Sequence, residues 1–116
     1  MDANNHPKRV YLSLPISGYD IDERRDTAAS VQRRLEAHGY EVYSPMCNGL
    51  PADAGTHAHM RRDFEMLLQC DAIYMMERWT HSKGCQVEFE VATAIGLEVY
   101  FEECFALPSN GMTRFK

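Results

Sequence analysis

The sequence predicts a three-layer α/β domain, in which one parallel sheet lies between helices on both of its faces. Short β-prone runs alternate with amphipathic helical segments from residue 9 to residue 102, and the loops between them are rich in Gly, Pro, Asn and Asp. The third β-prone run, DAIYMME (71–77), has a continuous apolar stretch, which is typical of a strand buried on both faces of a parallel sheet. This alternation implies right-handed βαβ crossovers. We therefore predict a Rossmann-like (flavodoxin-like) fold with a sheet of about four to five strands.

The first half of the chain is predicted to contain two strands and two helices. RVYLSL (9–14) and YEVYSP (40–45) are β-prone runs that each lead into a proline. Between them, DERRDTAASVQRRLEAHG (22–39) has acids in its first turn, apolar residues at helical spacing and a glycine at its end. The second helix is predicted over HAHMRRDFEMLLQC (57–70), with Thr56 as its cap. Its buried face is predicted from the spacing i, i+4, i+7 and i+8 of four apolar residues: Met60, Phe64, Leu67 and Leu68.

The second half is predicted to continue with a loop, a helix and a strand. RWTHSKG (78–84) reads as a loop, GCQVEFEVATAIG (84–96) as the third helix and LEVYFE (97–102) as the fourth strand. The third helix is expected to contact the sheet through an apolar stripe: Val87, Val91, Ala92, Ala94 and Ile95. In such sheets, ligands bind outside the carboxyl ends of the strands, where loops lead into helices.

The bulk composition indicates one acidic domain. The 116 residues suit a single domain over 1–116, with a core over about 9–103 and a tail over 104–116. The net charge is −5 and the basic residues are scattered, so we expect no polymeric nucleic acid as a partner. No segment has the apolar length of a membrane span or the pattern of a secretory signal. We therefore expect a cytoplasmic location and no membrane partner.

Neither the cysteines nor the histidines form a metal-binding pattern. The four cysteines lie far apart without a CxxC pair, which favours reduced thiols. His57, His59 and His81 have no ligand spacing with other residues, so we predict no metal and no cofactor. His57 and His59 are expected to be solvated surface residues, because residues two apart on a helix point away from each other.

The two glutamates of SKGCQVEFE (82–90) are predicted to lie on different sides of the third helix. Glu88 precedes Val91 and Ala92 by three and four residues, so it falls on or beside the predicted buried stripe. Glu90 is rotated by about 200° from Glu88 and is expected to face solvent or a neighbouring subunit. A carboxylate on the buried side is costly unless something holds it there. Two interpretations are open: Glu88 is a functional group, or it is a helix acid stabilised by the N-terminal dipole.

A second acid, Asp63, borders the predicted buried face of the second helix. That helix follows the second strand at the same edge of the sheet, so Asp63 and Glu88 could converge there. The surrounding sequence RRDFE also fits a plain charged helix face. The spacing alone leaves both interpretations open.

Three motifs occur in a fixed order and cover nearly all of residues 10–101. They are YLSLPISG (11–18), D-x7-D from Asp63 to Asp71, and S-x-G-x3-E-x3-A from Ser82 through Gly84 and Glu88 to Ala92. With these motifs the chain resembles the nucleoside 2-deoxyribosyltransferase superfamily, which includes the 2'-deoxynucleoside 5'-monophosphate N-glycosidases. The PISG turn and the W-x2-SKG loop resemble most closely a branch of small uncharacterised bacterial and phage proteins.

The resemblance implies an N-glycosidic-bond enzyme and assigns three catalytic candidates. Glu88 matches the glutamate nucleophile, which attacks the anomeric carbon of the sugar in a reaction like that of retaining glycosidases. Asp63 matches the aspartate that assists the nucleophile and helps to protonate the leaving base. Tyr11 matches the tyrosine in the first strand of the monophosphate N-glycosidases. Tyr11 also fits an ordinary strand aromatic, since such residues are common in sheets.

The loops supply the candidates for substrate binding. Gly18 and Gly84 allow close approach of the backbone to a ligand, and Ser17 and Ser82 offer hydroxyl groups. All four residues are also compatible with a purely structural role in turns. The remaining loop candidates are Ile16, which lies in the PISG turn, and Trp79, which either stacks on a base or packs against the tail or a second subunit.

One departure from the enzymes concerns phosphate recognition. The monophosphate N-glycosidases have an I-R-G pattern in the first loop, where this chain has Ile16, Ser17 and Gly18. Lys83 is a candidate for a replacement charge, although it also fits an exposed loop lysine.

Three hypotheses follow from the sequence. The first is cleavage or transfer at the N-glycosidic bond of a (2-deoxy)nucleoside or nucleotide, with a small molecule as the partner. The alternative is a non-catalytic nucleotide-binding or sensor module of the same fold, and the third is a structural oligomerisation domain. A homodimer or higher homo-oligomer is expected, because a small domain has little surface with which to enclose a nucleotide. The tail, including Ser109 and Asn110, is a candidate to reach into a partner's site.

Overall fold

The computed structural model describes residues 7–102, which form a parallel sheet and three α-helices. The strands are β1 (Arg9–Ser13), β2 (Glu41–Tyr43), β3 (Ala72–Met75) and β4 (Glu98–Phe101). The helices are α1 (Ile21–Ala37), α2 (Thr56–Leu67) and α3 (Lys83–Ala94). Short 3-10 turns cover Pro45–Cys47 and Trp79–His81. The predicted order of elements is confirmed, and the turn over Trp79–His81 adds regular structure to a segment that was predicted as a loop.

The sheet has the strand order β2-β1-β3-β4, and all neighbouring strands are parallel. Tyr11 of β1 pairs in register with Tyr43 of β2 on one side and Ile73 of β3 on the other. The predicted three-layer Rossmann-like fold is confirmed, with four strands in the described part of the chain. The two central strands, β1 and β3, are buried along their whole length or nearly so.

Alternation along β1 divides the core into two layers. Val10, Leu12 and Leu14 point to one face of the sheet, where they pack with buried residues of α1. Tyr11 and Ser13 point to the opposite face, and Tyr11 there joins a cluster with residues of α2 and α3. The helix residues that close these layers are Ala28, Val31 and Leu35 of α1, Met66 and Leu67 of α2, and Cys85 and Ala92 of α3.

The predicted start and buried face of α2 were partly wrong. Gly55 occupies the cap position, without a side-chain cap, and Thr56 is the first helical residue. The buried residues of α2 are Met66 and Leu67, whereas Met60 is 38% exposed and Leu68 is 59% exposed. The face that meets the sheet is centred on Leu67, and a helix turns by about 100° per residue. This rotation carries Leu68 away from the sheet.

Leu67, the last residue of α2, and Leu68, directly after it, provide a matched test of this orientation. Leu67→Ala is expected to lower the free energy of unfolding by about 2–5 kcal/mol, because it leaves a cavity against the sheet. Leu68→Ala removes the same atoms from an exposed position and is expected to cost less than about 0.5 kcal/mol. Urea unfolding of the two variants measures the difference. Equal losses would show that α2 does not have this orientation.

The predicted stripe of α3 was partly wrong: Val91 and Ala92 pack against the core as predicted, but the other three members do not. Val87 is 36% exposed and Ile95 is 48% exposed, and Ala94 lies at the surface as well. The face that meets the sheet is composed of Cys85, Glu88, Phe89, Val91 and Ala92. Glu88, which was predicted to lie on or beside the buried stripe, lies within this face.

Candidate active site

The centre of the candidate site is the carboxyl group of Glu88. The hydroxyl of Tyr11 donates a hydrogen bond of 2.9 Å to Oε2 of Glu88. The hydroxyl of Ser13 donates a hydrogen bond of 2.7 Å to Oε1. Both donors are fully buried. Each carboxyl oxygen therefore has a neutral hydrogen-bond donor from the same strand, and this pair fixes the position of the group.

Strand alternation and helix capping produce this arrangement. Tyr11 and Ser13 are two residues apart in β1, so their side chains lie on the same face of the sheet. After β3 the chain passes through the 3-10 turn to Ser82, whose hydroxyl accepts a hydrogen bond of 3.2 Å from the N–H of Cys85. This cap begins α3 above the carboxyl edge of the sheet. Glu88 lies in the second turn of the helix and faces β1.

Burial makes the Glu88 carboxyl group a weaker acid than an ordinary glutamate. Loss of water disfavours the charged form and raises the pKa of Glu88 to about 7. The hydrogen bonds from Ser13 and Tyr11 oppose this rise, and the negative charge of Asp63 adds to it. Burial also raises the pKa of Tyr11 well above its usual value, so the tyrosine stays a donor. A carboxyl group that changes charge near neutral pH is suited to nucleophilic or acid–base chemistry.

Asp63 brings a second carboxyl group from α2 to the same edge of the sheet. Its side chain is half-buried, and burial raises its pKa, whereas a hydrogen bond of 3.0 Å from Nδ2 of Asn48 lowers it. The charge of Asp63 acts on both Glu88 and Tyr11, whose pKa values it raises. The structure thus brings together the three residues that the resemblance assigned to catalysis.

Sequence reasoning missed three polar residues at this edge. Ser13 lies two positions after Tyr11, and strand alternation alone could have identified it. Asn48 is a buried loop residue whose amide contacts Asp63 and also lies 3.1 Å from Nδ1 of His59. His59 was predicted to be a solvated surface residue, and this was wrong, because its ring is half-buried against the loop that follows β2. No periodic pattern marks a contact between a loop and a helix.

The first loop closes as a tight turn. The N–H of Tyr19 donates a hydrogen bond of 3.1 Å to the carbonyl oxygen of Ile16, and Gly18 has φ +87°, a value that favours glycine. The side chain of Ile16 packs on the α1 side of the sheet, opposite to Glu88. Ser17 and Gly18 are exposed. Backbone and hydroxyl groups of this turn are therefore accessible, while the Ile16 side chain belongs to the core.

The loop before α3 has mainly structural contacts. Ser82 is the helix cap described above, and a Cβ added at Gly84 would lie 3.9 Å from the terminal methyl of Met60, an ordinary contact. Lys83 is exposed. The ring of Trp79 lies 4.8 Å from that of Phe89 and 6.0 Å from that of Phe101, measured between centroids. Trp79 therefore packs on two aromatic rings of its own subunit.

Two of the surface cavities have linings that do not include the candidate catalytic residues. One of about 260 Å³ lies beside β2 and α2, with Tyr43 and Arg62 in its lining, and another of about 150 Å³ lies near Tyr19 and Arg78. Neither is lined by Glu88 or Asp63.

Other sequence expectations concern metals, membranes and the tail. Residues 7–102 contain no group of three or more His, Cys, Asp or Glu side chains that could hold a metal ion. Within the same range, none of the helices is long and apolar enough to cross a membrane. Cys47, Cys70 and Cys85 are free thiols. Cys104 and the tail residues Ser109 and Asn110 lie outside the described residues.

Known structures share this arrangement of strands and helices. A 2-deoxyribosyltransferase from Bacillus psychrosaccharolyticus matches with a TM-score of 0.60 and 21% identity, over 80% of this chain and 70% of that chain. A 2-deoxyribosyltransferase from Leishmania mexicana matches with a TM-score of 0.63 and 20% identity, over 82% of this chain and 63% of that chain. A conserved protein from Enterococcus faecalis V583 matches with a TM-score of 0.63 and 18% identity, over 94% and 80% of the two chains.

The fold is therefore that of the nucleoside 2-deoxyribosyltransferases, and the resemblance found in the sequence is confirmed at this level. The chain belongs to the family described as a domain of unknown function (DUF4406), whose model matches residues 8–101. No curated protein matches the chain.

Proposed function

We propose that this protein cleaves or transfers the N-glycosidic bond of a (2-deoxy)nucleoside or nucleotide, with Glu88 as the nucleophile. The observation that carries the proposal is the partly buried carboxyl group of Glu88, held by hydroxyl donors at both oxygens. The 2-deoxyribosyltransferase fold of two matched structures supports the substrate class. A structural oligomerisation domain would have no use for a buried carboxyl group whose pKa is raised to about 7.

The proposed reaction has two steps. In the first, a carboxylate oxygen of Glu88 attacks the anomeric carbon, the bond from that carbon to the base nitrogen breaks, and the base leaves with a proton supplied by Asp63. In the second, water or another base attacks the anomeric carbon, the ester bond to Glu88 breaks, and the Asp63 carboxylate accepts the proton. Tyr11 and Ser13 act as positioning residues, because their hydroxyl groups contact the carboxyl group of Glu88.

The sugar and any phosphate are proposed to lie over the N-terminus of α3 and the turn over 16–19. Exposed Ser17 and Gly18 offer a hydroxyl group and a backbone amide there, and Lys83 offers a positive charge. Ser82 is already engaged as a helix cap, so its backbone is the part proposed to meet substrate. Trp79 is proposed to act through its packing on Phe89, which lies on α3 next to Glu88.

A non-catalytic nucleotide sensor is the second candidate. It is favoured by Ser17, which stands where the monophosphate N-glycosidases have an arginine. This difference is also accounted for if a second copy of the chain completes the site. We therefore propose a homodimer or higher homo-oligomer, which light scattering of the purified protein tests.

A mass-spectrometric assay tests the proposed reaction. The wild type, incubated with a mixed pool of deoxynucleosides and their monophosphates, is expected to release free base. Glu88→Ala is expected to lower the rate by about 10³-fold or more, because it removes the nucleophile. Glu90→Ala is the matched control, since Glu90 is exposed on the same helix, and it is expected to retain activity. Nucleotide binding without base release, unchanged in Glu88→Gln, would identify the sensor instead.

A further inference from the structure

The side chain of Asn48 has a partner for each of its polar groups. Its Oδ1 accepts a hydrogen bond of 3.0 Å from the N–H of Leu50. Its Nδ2 donates a hydrogen bond of 3.0 Å to Oδ1 of Asp63 and lies 3.1 Å from Nδ1 of His59. An amide has one acceptor oxygen and two N–H donors, so these contacts use the whole group. Because the oxygen is bound to Leu50, the nitrogen faces Asp63 and His59.

This orientation determines where His59 carries its proton. The N–H of Asn48 that points at the ring requires an acceptor, so Nδ1 of neutral His59 is unprotonated and Nε2 carries the hydrogen. The Nε2–H group has no partner among the described residues. Asn48 cannot rotate its amide to suit the other tautomer, because its nitrogen would then meet the N–H of Leu50 and its oxygen the carboxylate of Asp63. The network therefore admits one arrangement of protons when Asp63 is ionised.

We propose that Asn48 is a positioning residue for Asp63 and that His59 belongs to the same site. In this arrangement Asn48 holds the Asp63 carboxyl group as a hydrogen-bond acceptor and holds His59 as an Nε2–H donor. His59 and Asp63 are four residues apart on α2, so they lie on the same side of the helix. The pair forms the part of the site that receives the departing base, whose ring nitrogen gains a proton and whose edge carries acceptor groups. This inference rests on the proposed function.

A purely structural role for Asn48 makes different predictions. The carbonyl oxygen of Asn48 also accepts a hydrogen bond of 3.0 Å from Nε of Arg62, so the residue ties the loop after β2 to α2. If loop anchoring were its only role, loss of the side chain would reduce stability without acting through Asp63. Two measurements separate the two roles. One is the titration of the Asp63 carboxyl group, and the other is whether the effects of substitutions at Asn48 and Asp63 add.

NMR titration tests the network without requiring turnover. Nitrogen-15 shifts of the histidine rings are expected to show His59 with its hydrogen on Nε2. The carboxyl carbon of Asp63 is expected to titrate at higher pH in Asn48→Leu than in the wild type, because a hydrogen bond to the charged form is lost. His59 protonated on Nδ1, or an unchanged titration of Asp63, would overturn the inference.

A double-mutant cycle tests the role of Asn48 in the reaction. Asn48→Leu is expected to lower kcat/KM for base release by about 10- to 100-fold in the wild type and by little in Asp63→Ala. Equal losses in the two backgrounds would contradict the inference. If Asn48→Leu does not fold, His59→Ala serves instead, with the exposed His57→Ala as its control. If the wild type releases no base, the proposed function fails, and the NMR titrations still decide whether Asn48 controls Asp63.

Discussion

Glu88→Gln is expected to abolish base release and, at pH 8, to raise the free energy of unfolding by up to about 3 kcal/mol. The gain arises because the wild type must keep a buried carboxyl group charged, whereas glutamine of the same shape is neutral. The amide can also accept from one hydroxyl of β1 and donate to the other, so the hydrogen bonds at the site are kept. A catalytic group that reduces the stability of its own fold is a common trade-off in enzymes.

The gain in stability of Glu88→Gln is expected to depend on pH, because the pKa of Glu88 is higher in the folded chain than in the unfolded chain. The folded-state pKa of Glu88 is about 7, above the ordinary value of 4.5. Below pH 4.5 the group is protonated in both folded and unfolded chains and costs nothing. As the pH rises from 4.5 to 7, only the unfolded chain loses the proton readily, so the stability of the wild type falls across this window and stays at its lower level above it. The advantage of Glu88→Gln is therefore expected to be absent at pH 4 and complete at pH 8.

Urea unfolding at several pH values measures this difference, with fluorescence of Trp79 as the signal. Glu90→Gln is the control, because Glu90 is exposed on the same helix and its replacement is expected to change stability little at any pH. A Glu88→Gln variant that is no more stable than the wild type at pH 8 would mean that the carboxyl group is not buried as described.

Removing the hydroxyl groups of β1 is expected to move the pH dependence of the reaction. Tyr11→Phe and Ser13→Ala each delete a hydrogen bond that lowers the pKa of Glu88, so that pKa is expected to rise by about one unit in each variant. The nucleophile must be ionised, so the acid limb of the kcat/KM profile shifts upward by the same amount. At pH 7 each variant is expected to lose about tenfold or more in kcat/KM, with partial recovery at pH 9.

The recovery at high pH separates this role from a general disturbance of the fold. Tyr43→Phe is the matched control, because it removes a hydroxyl group from the neighbouring strand that is not a partner of Glu88. Its pH profile is expected to coincide with that of the wild type. Parallel losses at all pH values in Tyr11→Phe and Ser13→Ala would show that the two hydroxyl groups do not set the acidity of Glu88.

The sequence predicted the elements well because their patterns are local and strong. Alternating β-prone and helical segments, with glycine or proline at their ends, are enough to identify a parallel α/β fold. The predicted stripe of α3 was partly wrong because Val87 and Ile95 were counted toward the buried face, while Cys85 and Phe89 were overlooked. A short helix with apolar residues on more than one side has no single stripe, and the sheet decides which side is buried.

The sequence allows prediction only of those residues of the candidate site that belong to a motif or follow from the alternation of side chains along a strand. Glu88 and Asp63 were found through spacing and resemblance, and Ser13 follows from Tyr11 by the two-residue period of a strand. Asn48 lies in an irregular loop, and its contacts with α2 depend on the path of that loop in three dimensions. Sequence patterns do not carry this information, because the periodicity of α2 does not show which of its residues the loop around Asn48 contacts.

The central position of β1 has a consequence for local opening of the protein. Sheets open most readily from their edges, and within residues 7–102 the edges are β2 and β4, which carry neither hydroxyl partner of Glu88. The hydroxyl groups of Tyr11 and Ser13 lie on a strand that is paired on both sides. Fraying of either edge therefore leaves the support of the carboxyl group in place, and exchange of the β1 amides with solvent requires opening of most of the sheet.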